Sequence, residues 1–144
     1  MTLIPDSITA LLQQQQQHLD VLLSLLRQEL AALANRDIDT LEHITTEKIS
    51  LLNQIQQIDK QLADAPELEQ SKKQDDFKQY IVVLDNLLAQ CKQQNDINQL
   101  TLEQSQLRLA QFKHELLSSR GKSGLTYTNK GRPAVDSKGK GVKA

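Results

Sequence analysis

The residues able to do chemistry in this chain are few and badly spaced for it. Three histidines, His18, His43 and His114, fall in separate stretches, and no His-x-x-Glu-His or comparable ligand spacing accompanies them. His114 and Glu115 are adjacent, so on a helix they face different directions. All three histidines read as surface residues. The single Cys91 excludes an internal disulfide and a cysteine-based zinc site, and its place on an apolar stripe reads as inert packing. Glycine is confined to residues 121–141, and Gly139-Lys140-Gly141 lacks the strand–loop–helix setting of a phosphate loop. Carboxylates are frequent but expected on solvated faces, where nothing tunes their acidity. This pattern carries no catalytic constellation and implies no metal and no cofactor; the chain reads as a non-enzyme.

What the chain does carry is leucine and isoleucine at helical spacing. Pro5-Asp6-Ser7 is a helix start, with Asp6 or Ser7 able to cap an orphan amide. Ile8, Leu11, Leu12, Leu19, Leu22, Leu23, Leu26, Leu30 and Leu33 then recur at steps of three and four, predicting a first helix over about residues 7–34. The Gln13–Gln17 run interrupts the apolar content but not the helix propensity. Asn35-Arg36-Asp37 ends it, and Asp37 can cap a second helix over 38–63. That helix bears Ile38, Leu41, Ile44, Leu51, Leu52, Ile55, Ile58 and Leu62 on its stripe. Lys48 falls on the seam, where its stem can lie while the ammonium reaches water or a Glu. Ala65-Pro66 closes the helix, because proline disfavours helical geometry in the residue before it. A charged connector over 64–75 follows, with room for a helical turn.

A third helix is predicted over 76–118. Its first half, Phe77, Tyr80, Ile81, Leu84, Leu87, Leu88 and Cys91, is densely apolar; a polar patch follows, with Asn95 and Asn98 on the projected stripe. A buried asparagine there would fix register; the patch could equally mark where the helix leaves the bundle, or reflect drift of the stripe over so long a helix. Apolar residues resume at Leu102, Leu109, Phe112, Leu116 and Leu117, and Gly121 is the expected stop. The fold class is therefore all-α: three long antiparallel helices in a coiled-coil-like bundle, the third longest, followed by a flexible C-terminal tail. At 1.5 Å per residue, about 44 helical residues reach roughly 65 Å, against roughly 40 Å for each of the first two helices. The third helix is thus expected to overshoot by roughly 25 Å, leaving Leu109, Phe112, Leu116 and Leu117 as an exposed stripe for a partner. Curvature of the first helix, or dimerisation through the stripe, would also cover it.

The end of the chain differs in charge. Residues 1–118 hold 10 bases and 17 acids, whereas the segment from Ser119 holds 7 bases and one acid, Asp136. The domain organisation read from this is a helical domain over 1–118 and a disordered basic tail over 119–144. An acidic body is a poor nucleic-acid platform, and dispersed basic residues without interleaved aromatics are a weak nucleic-acid signal. Within the tail, Leu125 and Tyr127 are lipophilic residues with no amphipathic pattern to fold against, which marks them as anchors for a partner. The N-terminus lacks a basic segment followed by an apolar run, and no stretch approaches the length of a membrane span, so neither a signal peptide nor stable membrane insertion is expected and cytoplasmic residence is the default.

Three segments together resemble the FlgN family of flagellar export chaperones. They are Asp37-Ile38-Asp39-Thr40-Leu41-Glu42 continuing to Thr46-Glu47-Lys48-Ile49-Ser50-Leu51-Leu52, the stretch from Cys91 through Asn95 and Asn98, and Leu125-Thr126-Tyr127-Thr128-Asn129-Lys130-Gly131-Arg132. The likeness covers residues 7–132. It implies a cytoplasmic chaperone that binds the helical termini of hook–filament junction proteins, prevents their premature assembly and delivers them to the gate or ATPase of the flagellar type III export apparatus. On that reading Leu109, Phe112, Leu116, Leu117 and Leu125 contact cargo, and Tyr127 contacts cargo or the export gate. The alternative from the residues is a homodimeric coiled-coil scaffold or adaptor without chaperone activity; the oligomeric state is left open.

Overall fold

The computed structural model describes residues 4–123. Four helices occupy them: α1 (Asp6–Asn35), α2 (Ile38–Asp64), the four-residue α3 (Leu68–Ser71) and α4 (Asp75–Ser123), with no strand among the described residues. The three long helices are those anticipated, and the connector supplies α3. Two compact units divide the chain, Met1–Leu102 and Glu103–Ala144.

The first unit is a bundle centred on α1. Contacts between α1 and α2 run in opposite directions: Gln15 meets Ile55 and Asp59, whereas Glu29 meets Lys48. Those to α4 ascend together, Leu19 with Cys91 and Leu26 with Asn98. The order is therefore up–down–up, as short links between consecutive helices require. Because α1 serves two neighbours, it buries the widest arc, with Leu22, Leu23, Leu25 and Leu26 all buried. By contrast α2 buries only every seventh residue, Ile44, Leu51 and Ile58, with Leu41, Lys48, Ile55 and Leu62 half-buried beside them. Ile38, Leu52 and Leu88, placed on the apolar stripes by spacing, are exposed. A stripe facing a single neighbouring helix is narrower than the arc that a three-and-four pattern allows.

Local signals fix the ends. α1 begins without a side-chain cap; Pro5 occupies the cap position, so neither Asp6 nor Ser7 caps, and Asp6 instead lies in the first turn, where its negative charge suits the helix dipole. At the other end Arg36 is left-handed (φ 55°), donating its amide to Leu33, while Asp37 donates to the Ala32 carbonyl at 2.9 Å. This double closure usually employs glycine. Asp37 then caps α2 as expected, accepting from the Thr40 amide and, at 2.6 Å, from its hydroxyl; those two bonds hold its carboxyl below the usual range. α2 stops at Ala65, whose extended backbone (ψ 127°) precedes Pro66. The expected stop at Gly121 is not observed, since α4 continues through it to Ser123. A single helical glycine costs only about 1 kcal/mol, too little to end a helix by itself.

One polar layer crosses the unit. Glu29 on α1 receives Lys48 Nζ from α2 at 3.0 Å and Asn98 Nδ2 from α4 at 2.8 Å. The second Asn98 amide hydrogen goes to the Leu26 carbonyl at 2.7 Å, and Gln94 Nε2 donates to Asn98 Oδ1 at 3.0 Å. Asn98 is only 3 % exposed, yet its side chain has both donor and acceptor functions satisfied, as burial demands. Of the two asparagines on the projected stripe, Asn98 is a register residue and Asn95 is exposed. Lys48 is the snorkelling lysine anticipated, with Glu29 as its partner.

Two consequences are measurable. Replacing Arg36 by glycine relieves a left-handed residue of its steric cost, set against glycine's greater unfolded freedom, and should raise stability by about 0.5–1 kcal/mol in urea melts. Replacing Glu29 by alanine strands a largely buried ammonium and an amide hydrogen, and should cost about 2 kcal/mol. The combined Glu29→Leu, Lys48→Met, Asn98→Leu chain should recover most of that loss, because it removes all the charges together.

Candidate partner-binding site

The second unit's described portion is the end of α4. From Leu107 to Ser119 every residue on it is exposed. Leu109, Phe112, Leu116 and Leu117 are 47, 60, 49 and 58 % exposed. On a helix, Leu109, Phe112 and Leu116 follow at steps of three and four and so share one face, while Leu117 lies at its edge. Arg108 and Lys113 flank the stripe. Three large apolar groups in one exposed row are what an amphipathic partner helix needs to dock. Leu125 and Tyr127 lie outside the described residues, as do residues 124–144 generally.

Further exposed apolar residues were not singled out by spacing. Leu107 is as exposed as Phe112, and Ile97 and Leu100, within the first unit, are exposed as well. They fall off the stripe of Leu109, Phe112 and Leu116, but their steps of three and seven are a helical spacing too, a signal that could have found them.

Elsewhere the candidate reactive groups are occupied by packing. Cys91 is buried, and its thiol donates to the Leu19 carbonyl at 3.7 Å. Burial pushes the thiol up from its ordinary value, away from the nucleophilic thiolate. His43 pairs with Glu47 at 3.0 Å on the surface, one turn along α2, and His114 is exposed. His18 departs from the expected surface role. It is half-buried with Nδ1 inaccessible, because it lies between Gln15 and Leu22 on the wide buried arc of α1. Gln15 itself is the buried member of the glutamine run, donating to the Ile55 carbonyl at 3.1 Å and to Asp59 at 2.6 Å. Among the described residues no cluster of three or more His, Cys, Asp or Glu could hold a metal ion, and no helix is long and apolar enough to cross a membrane.

The fold is that of an all-helical bundle protein with an exposed apolar row on its last helix. Comparison with protein-family models gives the particular family: the FlgN model, described as FlgN protein, matches residues 1–134. The chain belongs to the FlgN family, which is associated with chaperoning and export in flagellum biogenesis. No curated protein and no solved structure matches it.

Proposed function

We propose that this chain is a cytoplasmic export chaperone that holds the helical termini of hook–filament junction proteins, prevents their premature assembly and passes them to the export apparatus. The observation that carries the reading is the exposed row Leu109–Phe112–Leu116 on α4 in a chain of this family. Subunits that polymerise through helical termini expose an amphipathic helix before assembly, and a complementary row on the chaperone sequesters it. Leu117 and Leu125 extend the contact. Tyr127, an apolar ring with a polar tip, is the contact to cargo or to the export gate. A partner segment that orders on binding gives up part of the interaction energy, which keeps the complex releasable.

The test is the double substitution Phe112→Asp, Leu116→Asp. Each is placed as a central apolar anchor, so binding of purified hook–filament junction proteins, followed by calorimetry, should weaken by at least about thirty-fold. Helix content and melting temperature should stay close to those of the parent. If the double variant unfolds, the two side chains belong to a core and the site assignment fails. If binding persists unchanged, the row is not the cargo site. A tight homodimer in sedimentation, both for the full chain and for a version ending at Arg120, with no cargo bound, would instead identify a coiled-coil scaffold.

For Tyr127→Ala the expected outcome is unchanged stability with a measurable defect in partner binding or in secretion of the cargo. Wild-type binding and secretion by that variant would remove Tyr127 from the site.

A further inference from the structure

Within the first unit, the seam between α4 and α1 changes character along its length. Every seventh α4 residue is buried there, and the series reads Phe77, Leu84, Cys91, Asn98. The half-buried row beside it reads Tyr80, Leu87, Gln94, Thr101. In both rows apolar bulk gives way to polar atoms toward the later residues, while α1 keeps leucine along its length, with Leu12, Leu19 and Leu26 buried. The contacts follow the composition. At Cys91 the link to α1 is a weak thiol donation at 3.7 Å. At Asn98 it is a pair of hydrogen bonds, to the Leu26 carbonyl and to Glu29.

These two kinds of attachment differ in what water does to them. Buried rings and leucines lose their stabilisation whenever the seam parts. Amide hydrogen bonds are replaced by bonds to water, so the bond to the Leu26 carbonyl contributes little net to holding the seam shut, and the bond to the Glu29 carboxylate about twice as much. Cooperative units with few buried apolar contacts open at lower free energy than the whole domain.

We propose that the α1–α4 seam is a clamp at its Phe77 end and a latch at its Asn98 end. The Cys91–Leu102 stretch of α4 opens from α1 as a local unit, while Phe77 to Leu87 stay packed. Glu29, already paired with Lys48, keeps one partner when Asn98 leaves, which lowers the cost of release. The device rests on the bundle alone and stands or falls independently of the chaperone reading.

Cys91 reports on it directly, being the only cysteine of the chain and buried in the middle of the seam. The full-length protein is treated with an aromatic disulfide reagent, and release of its thiolate is followed at increasing urea below the unfolding transition. Global stability is measured in parallel by circular dichroism. Local opening predicts labelling at least ten-fold faster than the globally unfolded fraction permits, with a urea dependence well below that of global unfolding, because only part of the buried surface is exposed. Asn98→Leu, which puts an apolar side chain at the latch, should slow labelling at least ten-fold. Thr101→Leu, also on the half-buried row and with its hydroxyl bonded only to the Ile97 carbonyl of its own helix, should act in the same direction and substitutes for it should Asn98→Leu fail to fold. Labelling that tracks global unfolding with the full urea dependence would overturn the proposal. So would a rate that a folded latch variant leaves unchanged.

Discussion

Glu29 is the point on which the bundle's register turns. Its carboxylate takes an ammonium from one neighbouring helix and an amide from the other, so three helices are tied at one level. Sliding α2 or α4 by one residue would rotate its donor by about 100° around its own axis and leave a largely buried carboxylate short of partners. Apolar contacts are less exacting about a slide of seven residues, which brings another leucine or isoleucine of the same stripe to each seam position. The layer therefore selects one arrangement out of several that the leucine stripes would accept, which is the best-attested use of a polar group in a helical seam.

The same dependence explains the uneven burial. α1 accepts hydrogen bonds from the helices beside it on its Glu29 carboxylate and on the backbone carbonyls of Leu19 and Leu26, and it covers the broadest arc. α2 and α4 each contribute a narrow strip and leave the rest of their circumference to water. Glutamine suits those outer faces: it preserves helix propensity without adding charge. Gln15 shows the exception, turned inward to bind the Ile55 carbonyl and Asp59. Side-chain links between α1 and α2 thus occur at two levels, Gln15 and Glu29, roughly 20 Å apart along a helix rising 1.5 Å per residue.

Much of this architecture is legible in the sequence because helices write themselves locally. The apolar steps of three and four, the Asp37 cap with Thr40 in reach, and the stop before Pro66 each need only a few consecutive residues. The family resemblance rests on segments of the same kind. What periodicity cannot supply is pairing across the bundle. Nothing near Lys48 in sequence names Glu29, 19 residues away, and nothing distinguishes Asn98 from Asn95 until the phase of α4 against α1 is known. His18 is misread for the same reason, since the width of the α1 arc depends on how many neighbours it has. The left-handed Arg36 and the passage of α4 through Gly121 fail differently. Both are sites where a glycine rule describes an average preference of about 1 kcal/mol, and neighbouring interactions decide otherwise. Of the candidate site, the row Leu109–Phe112–Leu116 is legible as a stripe and is exposed in the structure, whereas the exposed Ile97, Leu100 and Leu107, themselves three and seven residues apart, lie off that stripe.

A division of labour follows from where the apolar residues are spent. The core of the first unit draws on α1, α2 and the opening half of α4, with Phe77 as the only phenylalanine it uses. The second phenylalanine, Phe112, is left in solvent together with four leucines on the same stretch of helix, Leu107, Leu109, Leu116 and Leu117. A chain with two phenylalanines and no tryptophan that leaves one of them outside has not placed it there for stability, because an exposed ring gains nothing from folding and burying it would be worth about 2 kcal/mol or more. The stripe can therefore vary without disturbing the core of the first unit, whereas the register layer at Glu29 cannot. The polar residues that hold α4 in phase and the apolar ones it leaves in solvent are different residues of one continuous helix.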